Sequence, residues 1–443
     1  MGQNFLACDR EQAYLMPLSL REWLPADQLA WCVLDAVAAM DLAAIYGDYR
    51  ADGHGRAAFD PAMMVALVLY AYAVGERSSR GIERRCHLDV AFRVIAANQA
   101  PDHATIARFR VRHQGALAEL FSQVLGLCAR AGLVSLGVIA LDGTKMAANA
   151  SGLANRTYEQ IAAEILAEAD AIDAAEDERF GELRGDELPA ELADPTSRKA
   201  RLREAKRQLD GEHRAAQQAH RELLQARAER EAELGHKLPG RKPKAPPEQA
   251  DPQARANVTD PDSRSVKTPR GFIQGYNAQA VATSEQIIIA AEVAIGSPDG
   301  GLLEPMIRTA ADELTAAGIE ERIDVAVADA GYWAGEQIDN LAAEGVRVLV
   351  PPDGHARGEN PNPNLRGGRY DFMRAVLRTE LGSALYRQRM QTIEPIFGQT
   401  KHNRRADRFQ RRGLAACRSE WRLIAATHNL LKLWRATTAP APA

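Results

Sequence analysis

Along the first third of the chain, apolar residues recur at the spacing of one helical face. The segments DQLAWCVLDAVAAM, PAMMVALVLYAYAVG and ALAELFSQVLGLCARAG each predict a helix. Between the last two, RSSRGIERRCHLDVAFRVIAANQAPDHATIARFRVRH reads as short helices with a turn at Asn98–Asp102. The texture changes at Leu136, where LGVIALD is a short apolar run that predicts a buried strand ending in an acid. Helical, Ala- and charge-rich sequence follows from 157 to about 235, broken near Pro189 and Pro195. Its second half has too few apolar positions for a core, so it predicts an exposed helix or half of a helical hairpin. Seven prolines between Gly235 and Pro269 read as a linker. Then GFIQGYNAQAVATSEQIIIAAEVAI predicts a hairpin turning near Thr283–Glu285, and GLLEPMIRTAADEL an amphipathic helix. DVAVAD is a second strand ending in an acid, GEQIDNLAAEG a helix closed by Gly345, and VRVLVPP a strand stopped by proline. After a Gly, Pro and Asn-rich loop at 353–369 the chain reads as helical to about Arg435, with a disordered tail.

Four segments are expected from this pattern: a helical domain at 1–135; an α/β core from 136–156 and 257–435; a helical insertion with its Pro-rich linker at 157–256; and a tail at 436–443. Without the insertion, the core reads strand, hairpin, helix, strand, helix, strand, helix. That is a mixed sheet with helices packed on it, the order of an RNase H-like fold.

Of the 443 residues 46% are hydrophobic and 26% charged, which suits a globular protein of two or three domains. The formal net charge of −4 hides a polarised chain. Arg77–Arg112 carries eight Arg against three acids, a net of +5, and Arg387–Arg422 reaches +7. Glu159–Asp194 holds thirteen acids against two Arg, a net of −11. The two basic blocks suit phosphates. The helix bearing Arg108, Arg110 and Arg112 suits a DNA backbone or groove, although a basic rim on a bundle reads the same way. The five Cys are scattered without a C-x-x-C pair, which fits a reducing cytoplasm and neither a zinc site nor disulfides. The N-terminus lacks a signal-peptide layout, and the longest apolar run, Pro61–Gly75, is shorter than a membrane span of roughly 20 residues. No Gly-rich nucleotide loop and no paired His motif are present.

Candidate chemistry lies in the acids. Asp142 and Asp329 each follow an apolar strand, and ligands of α/β sheets sit at such carboxyl ends. Two carboxylates meeting there repel unless a cation lies between them, and Mg²⁺ prefers oxygen donors. A third acid from a nearby helix completes a two-metal site. An Asp after a strand is more often a turn or cap residue, so neither is decisive alone. In YRQRMQTIEPIFGQTKHNR, Glu394 falls seven residues from both Arg387 and Lys401, on one helical stripe. Pro395 requires the helix to start or kink at Glu394.

The motifs DGTKMAAN around Asp142, DAGYW around Asp329 and YRQRMQTIEPIFGQTK around Glu394 resemble the three catalytic motifs of the DDE transposases of bacterial insertion sequences. GYNAQ resembles that family's strand after the first Asp, and SSRGIERRC and PDHATIARFR resemble its N-terminal helical domain. The resemblance implies an RNase H-like catalytic core and two Mg²⁺ or Mn²⁺ ions on Asp142, Asp329 and Glu394. It implies cleavage and strand transfer on double-stranded DNA at terminal inverted repeats, by a homodimer or larger assembly. It also implies a Tyr-Arg-Glu-Lys signature. Glu394 and Lys401 keep that spacing, whereas Tyr386 and Arg389 sit one residue further upstream, with Met390 where an Arg is expected. The remaining candidates for DNA contact are Arg387, Arg404 and Arg405 near the cut, with Tyr332 and Trp333 as bases' stacking partners. A metal-dependent nuclease without strand transfer and a non-catalytic DNA-binding relic share these features. A purely helical scaffold conflicts with the strands.

Overall fold

The structure, a computed structural model, describes residues 19–49, 57–165, 167, 198–238, 241–296, 298–353 and 366–438. Most of the acidic block, the loop at 354–365 and the last five residues of the tail lie outside the described residues. The chain divides into two compact units, one of residues 1–134, 314–320 and 423–443, the other of 135–313 and 321–422.

The first unit is helical, as the periodicity predicts. It contains α1 (Leu29–Ala38), α2 (Ala43–Tyr46), α3 (Pro61–Ala73), α4 (Ser79–Leu88), α5 (Val90–Ile95), α6 (His103–Arg112) and α7 (Gln114–Arg130). The apolar run becomes α3. Asp60 caps it by accepting from the Met63 N–H, Pro61 occupies the first turn, and Met64 to Ala73 are all buried. Each Leu or Val buried there contributes about 1.5–3 kcal/mol. Ser78 and Asp102 cap α4 and α6. The turn before α6 places Ala97 and Asn98 in the left-handed region. Among the described residues no helix is long and apolar enough to cross a membrane.

The second unit is built on a mixed sheet. Its strands are β1 (Val138–Ala147), β4 (Arg264–Thr268), β5 (Gly271–Thr283), β6 (Ile288–Ala294), β7 (Val325–Val327) and β8 (Arg347–Leu349), while β2 (Asn155–Thr157) and β3 (Arg255–Asn257) form a separate pair. The main order is β4-β5-β1-β7-β8, with β6 also on β5. β1 runs parallel to β7 and antiparallel to β5, and β7 runs parallel to β8. The helices are α8 (Arg198–Leu234), α9 (Leu303–Ala316), α10 (Gly335–Ala343), α11 (Gly368–Arg378), α12 (Glu380–Thr392), α13 (Glu394–Gly398) and α14 (Leu414–Thr438). α9 and α14 contribute residues to both units.

Two expectations change. The Pro-rich linker is partly ordered sheet: Arg255–Asn257 pairs with β2, and Arg264–Thr268 pairs with β5. β2 and β3 are remote in sequence, so local composition does not announce their pairing, whereas β4 and β5 form a local hairpin that turns at Pro269 and Arg270. The insertion also has a small core, in which Leu202, Ala205 and Leu209 of α8 pack with Ile161 and Ala256. Beyond that start α8 is largely exposed, as its charge pattern predicts.

Candidate active site

The register of the sheet sets the two strand acids level. Val138, Ile139 and Ala140 pair in parallel with Val325, Ala326 and Val327. Two steps further along each chain lie Asp142 and Asp329. Asp329 stands past its strand, as expected. Asp142 does not end β1, which continues to Ala147, and it still pairs with Ala280. The polar run after Asp142 stays extended because β5 supplies its ladder.

Main-chain groups hold both carboxylates. The Gly143 N–H donates to Asp142 Oδ1 at 2.7 Å, and the Gly331 N–H donates to Asp329 Oδ1 at 2.8 Å. Asp329 thereby caps the short 3-10 turn Ala330–Tyr332. Glycine is required at 143, where a β carbon would collide with the Gln279 amide and come within 2.8 Å of Asn277 Oδ1.

Arg389 links the first acid to the third. It donates to Asp142 Oδ2 at 2.8 Å and lies 3.6 Å from Glu394 Oε1. It also bonds the Tyr386 hydroxyl. Burial pushes the Asp142 carboxyl up to about 6, and the neighbouring Asp329 and Asp299 add to the rise against the Gly143 N–H and Arg389. Burial opposes the charge on Arg389, but Asp142, Tyr386, Asp329 and Glu394 together hold it above the ordinary guanidinium range.

The expected stripe of Arg387, Glu394 and Lys401 is broken. α12 ends at Thr392, a new helix starts at Glu394 with Pro395 in its first turn, and Gln399–Asn403 winds as a π-helix. The proline supplies the break that the sequence requires of it. Arg387 is exposed and donates to the Ser383 carbonyl. The Glu394 side chain is 50% exposed. Lys401 Nζ donates to the Lys145 carbonyl of β1 at 2.8 Å, and burial lowers its pKa. A π-helical turn often marks a functional site.

Several candidates are placed differently from expectation. Tyr332 is fully buried and its hydroxyl donates to Gln279 Oε1, so it offers no face to a base. Trp333 stacks on Tyr370 with ring centroids 5.1 Å apart. Arg404 is buried, whereas Arg405 is exposed in the left-handed region. Arg110 is also buried and donates to the Tyr72 hydroxyl, the Arg77 carbonyl and Ser79 Oγ. It braces the helical unit and presents no charge. Arg108 and Arg112 are exposed on the same helix, with Arg112 donating to the Asp48 carbonyl and lying over the Tyr49 ring.

The acid missed by the sequence reading is Asp299. Its Oδ1 accepts from Lys145 Nζ at 3.3 Å, Asn277 Nδ2 at 2.7 Å and Gln279 Nε2 at 2.9 Å. Its SPDGG setting signals only a turn. The donors were within reach: Lys145 pairs with Asn277, and Gly143 with Gln279, so the DGTKMAAN and GYNAQ motifs share one face of the sheet. Among the described residues no three His, Cys, Asp or Glu side chains converge as a group able to hold a metal ion.

Two family models match the chain. A transposase domain, DUF772, matches residues 18–112, and a transposase DDE domain matches residues 366–434. No curated protein and no solved structure shows a significant match.

Proposed function

Taking the chain as the DDE-type insertion-sequence transposase that the two matches indicate, we propose that it cuts DNA at element ends and transfers the strands. Its second unit acts as an RNase H-like core with Asp142, Asp329 and Glu394 as the catalytic acids. The observation that carries this reading is the geometry of two parallel strands, each leading two residues past their last mutual pair to Asp142 or Asp329, with Asp142 tied through Arg389 to Glu394.

The donor set fits a hard divalent cation such as Mg²⁺ or Mn²⁺. Asp142 and Asp329 offer only oxygen, and Asn277 Oδ1 is buried beside Gly143 with no partner among the described residues. A β carbon at Gly331 would fall 3.0 Å from Asp329 Oδ1 and 3.7 Å from Asp299 Oδ2, so glycine keeps that space open. Asp142, Asp329 and Glu394 would hold a pair of such cations, which would supply activation of water or a DNA 3′-hydroxyl and stabilisation of the leaving oxygen.

The chain's own side chains do the rest. Arg389 holds Asp142 and Glu394 near each other while the phosphate is absent, and its guanidinium then serves the scissile phosphate. Glu394, half in solvent, moves inward to complete the acid set. Lys401 is anchored to β1 and places its charge beside the same strand. Tyr386 orients Arg389. Arg387, Arg405 and the exposed edge of Trp333 face DNA flanking the cut, and Arg108 and Arg112 give the helical unit its phosphate contacts.

The test is Mg²⁺-dependent cleavage of a labelled duplex bearing the element's own end, comparing wild type with Glu394→Gln. Cutting by the wild type alone is expected. Equal cutting by both removes Glu394 from the site. Binding without cutting by either protein refutes the catalytic reading in favour of a DNA-binding relic.

A further inference from the structure

A cleft of about 610 Å³ opens where β1 ends, away from the acids. Its walls include Asn149, Ser151, Thr259, Gln274, Arg408 and Arg412. Among the described residues no Asp or Glu lines it. Two arginines, Asn149 and two hydroxyl side chains in its wall make a composition that attracts phosphate, while the buried Gln274 carboxamide is held by Asn155 and Ser263.

The chain that forms the cleft is pinned to the catalytic strand. The Ala147 N–H donates to the Asp407 carbonyl and the Phe409 N–H to the Ala147 carbonyl, so Arg408 is bridged to the last residue of β1. Arg412 Nε donates to the Asn149 carbonyl, and Asn149 Nδ2 donates to the Gln410 carbonyl. The main-chain N–H groups of Asn149, Ala150 and Gly152 donate to no described residue. Main-chain amides left open to solvent in one short stretch complement an anion.

Distance decides which phosphate. Asp142 and Ala147 are five residues apart on one continuous strand, which at about 3.3 Å per residue is roughly 17 Å. For a duplex whose axis runs along β1, rising about 3.4 Å per base pair, 17 Å is about five base pairs.

We infer that this cleft binds the DNA backbone about five base pairs from the bond cut at Asp142, so that β1 carries the cutting site at its middle and a phosphate grip at its end. The inference rests on the DNA-cutting reading above and adds a second contact to it. The contact is to phosphate and sugar, which fixes register on the duplex without reading sequence.

Ethylation interference on the wild-type protein bound to the element-end duplex tests it without any mutation. Ethyl groups on phosphates about four to six positions from the cleavage point are expected to block binding, and interference confined to other positions overturns the inference. The double variant Arg408→Gln, Arg412→Gln gives a second readout. The slope of log affinity against log salt is expected to fall by about 2, near one per arginine. Cleavage should be recovered at low salt. An unchanged slope in a folded double variant overturns the cleft while leaving the DNA-cutting reading intact. Failure of the wild type to bind the duplex at all overturns both.

Discussion

Replacing Asp142 by Asn should shift the stability of the cation-free protein in the variant's favour as the pH rises from 4 to 6. The folded protein keeps a proton on Asp142 up to about pH 6, against 3.8 for the free side chain, chiefly because the carboxylate is buried. Stability from this group is therefore full below pH 3.8 and is lost as the pH rises through 6. At about 1.4 kcal/mol for each pH unit between those limits, the loss is about 3 kcal/mol at neutral pH. The amide cannot ionise, so the variant escapes that loss, but its one oxygen serves only one of the two donors, Gly143 on Oδ1 or Arg389 on Oδ2, and the NH2 facing the other costs about 1–3 kcal/mol at every pH. Thermal unfolding in EDTA from pH 4 to 8 measures the difference. The variant's midpoint should lie below the wild type's near pH 4, gain on it by on the order of 5 °C between pH 4 and 6, and hold a constant difference above that. Adding Mg²⁺ at pH 8 should raise the wild type and leave the variant unmoved. A gap independent of pH refutes the reasoning, because desolvation would then not be the cause.

Other outcomes follow from the same geometry. Asp299→Ala removes the oxygen shared by Lys145, Asn277 and Gln279, and cleavage should slow by about 10–100-fold with DNA affinity unchanged. Asp299→Asn keeps the acceptor and should restore most of the rate in single-turnover assays; equal loss in both variants contradicts a positioning role. Gly143→Ala drives a methyl into Gln279 and should cost about 1–3 kcal/mol in denaturant titration. In the helical unit, Arg110→Ala strands buried partners and should cost about 1–3 kcal/mol of stability, whereas Arg108→Ala should weaken DNA binding with an unchanged melting point. Reversal of that pair of effects contradicts the burial pattern.

What could be read from sequence was what local periodicity and punctuation encode. The helices around Asp60, Ser78 and Asp102, the strand leading to Asp142 and the break at Pro395 all declare themselves within a few residues. What could not be read depends on partners far along the chain. β3 forms because β2 pairs with it from the other side of the insertion, and β1 outlasts its apolar run because β5 reaches Gly275 opposite Ala147. Asp299 is ordinary until three donors from two strands meet it. Arg110 is a different case. Ile106, Phe109, Arg110 and His113 share one helical stripe, and all four are buried, so spacing already placed that arginine inward. Counting charge in the segment outweighed position on the face.

The unbroken strand from Val138 to Ala147 also bears on how this sequence can drift. Successive side chains point to opposite faces, so gaining or losing one residue between Asp142 and Ala147 turns Lys145 away from Asp299 and shifts the pairing with Asn277 and Gln279. Substitutions can accumulate there, but single-residue insertions and deletions cannot. Length variation in descendants of this element is therefore confined to places where no ladder keeps count, such as the far end of α8 or the residues joining it to β3.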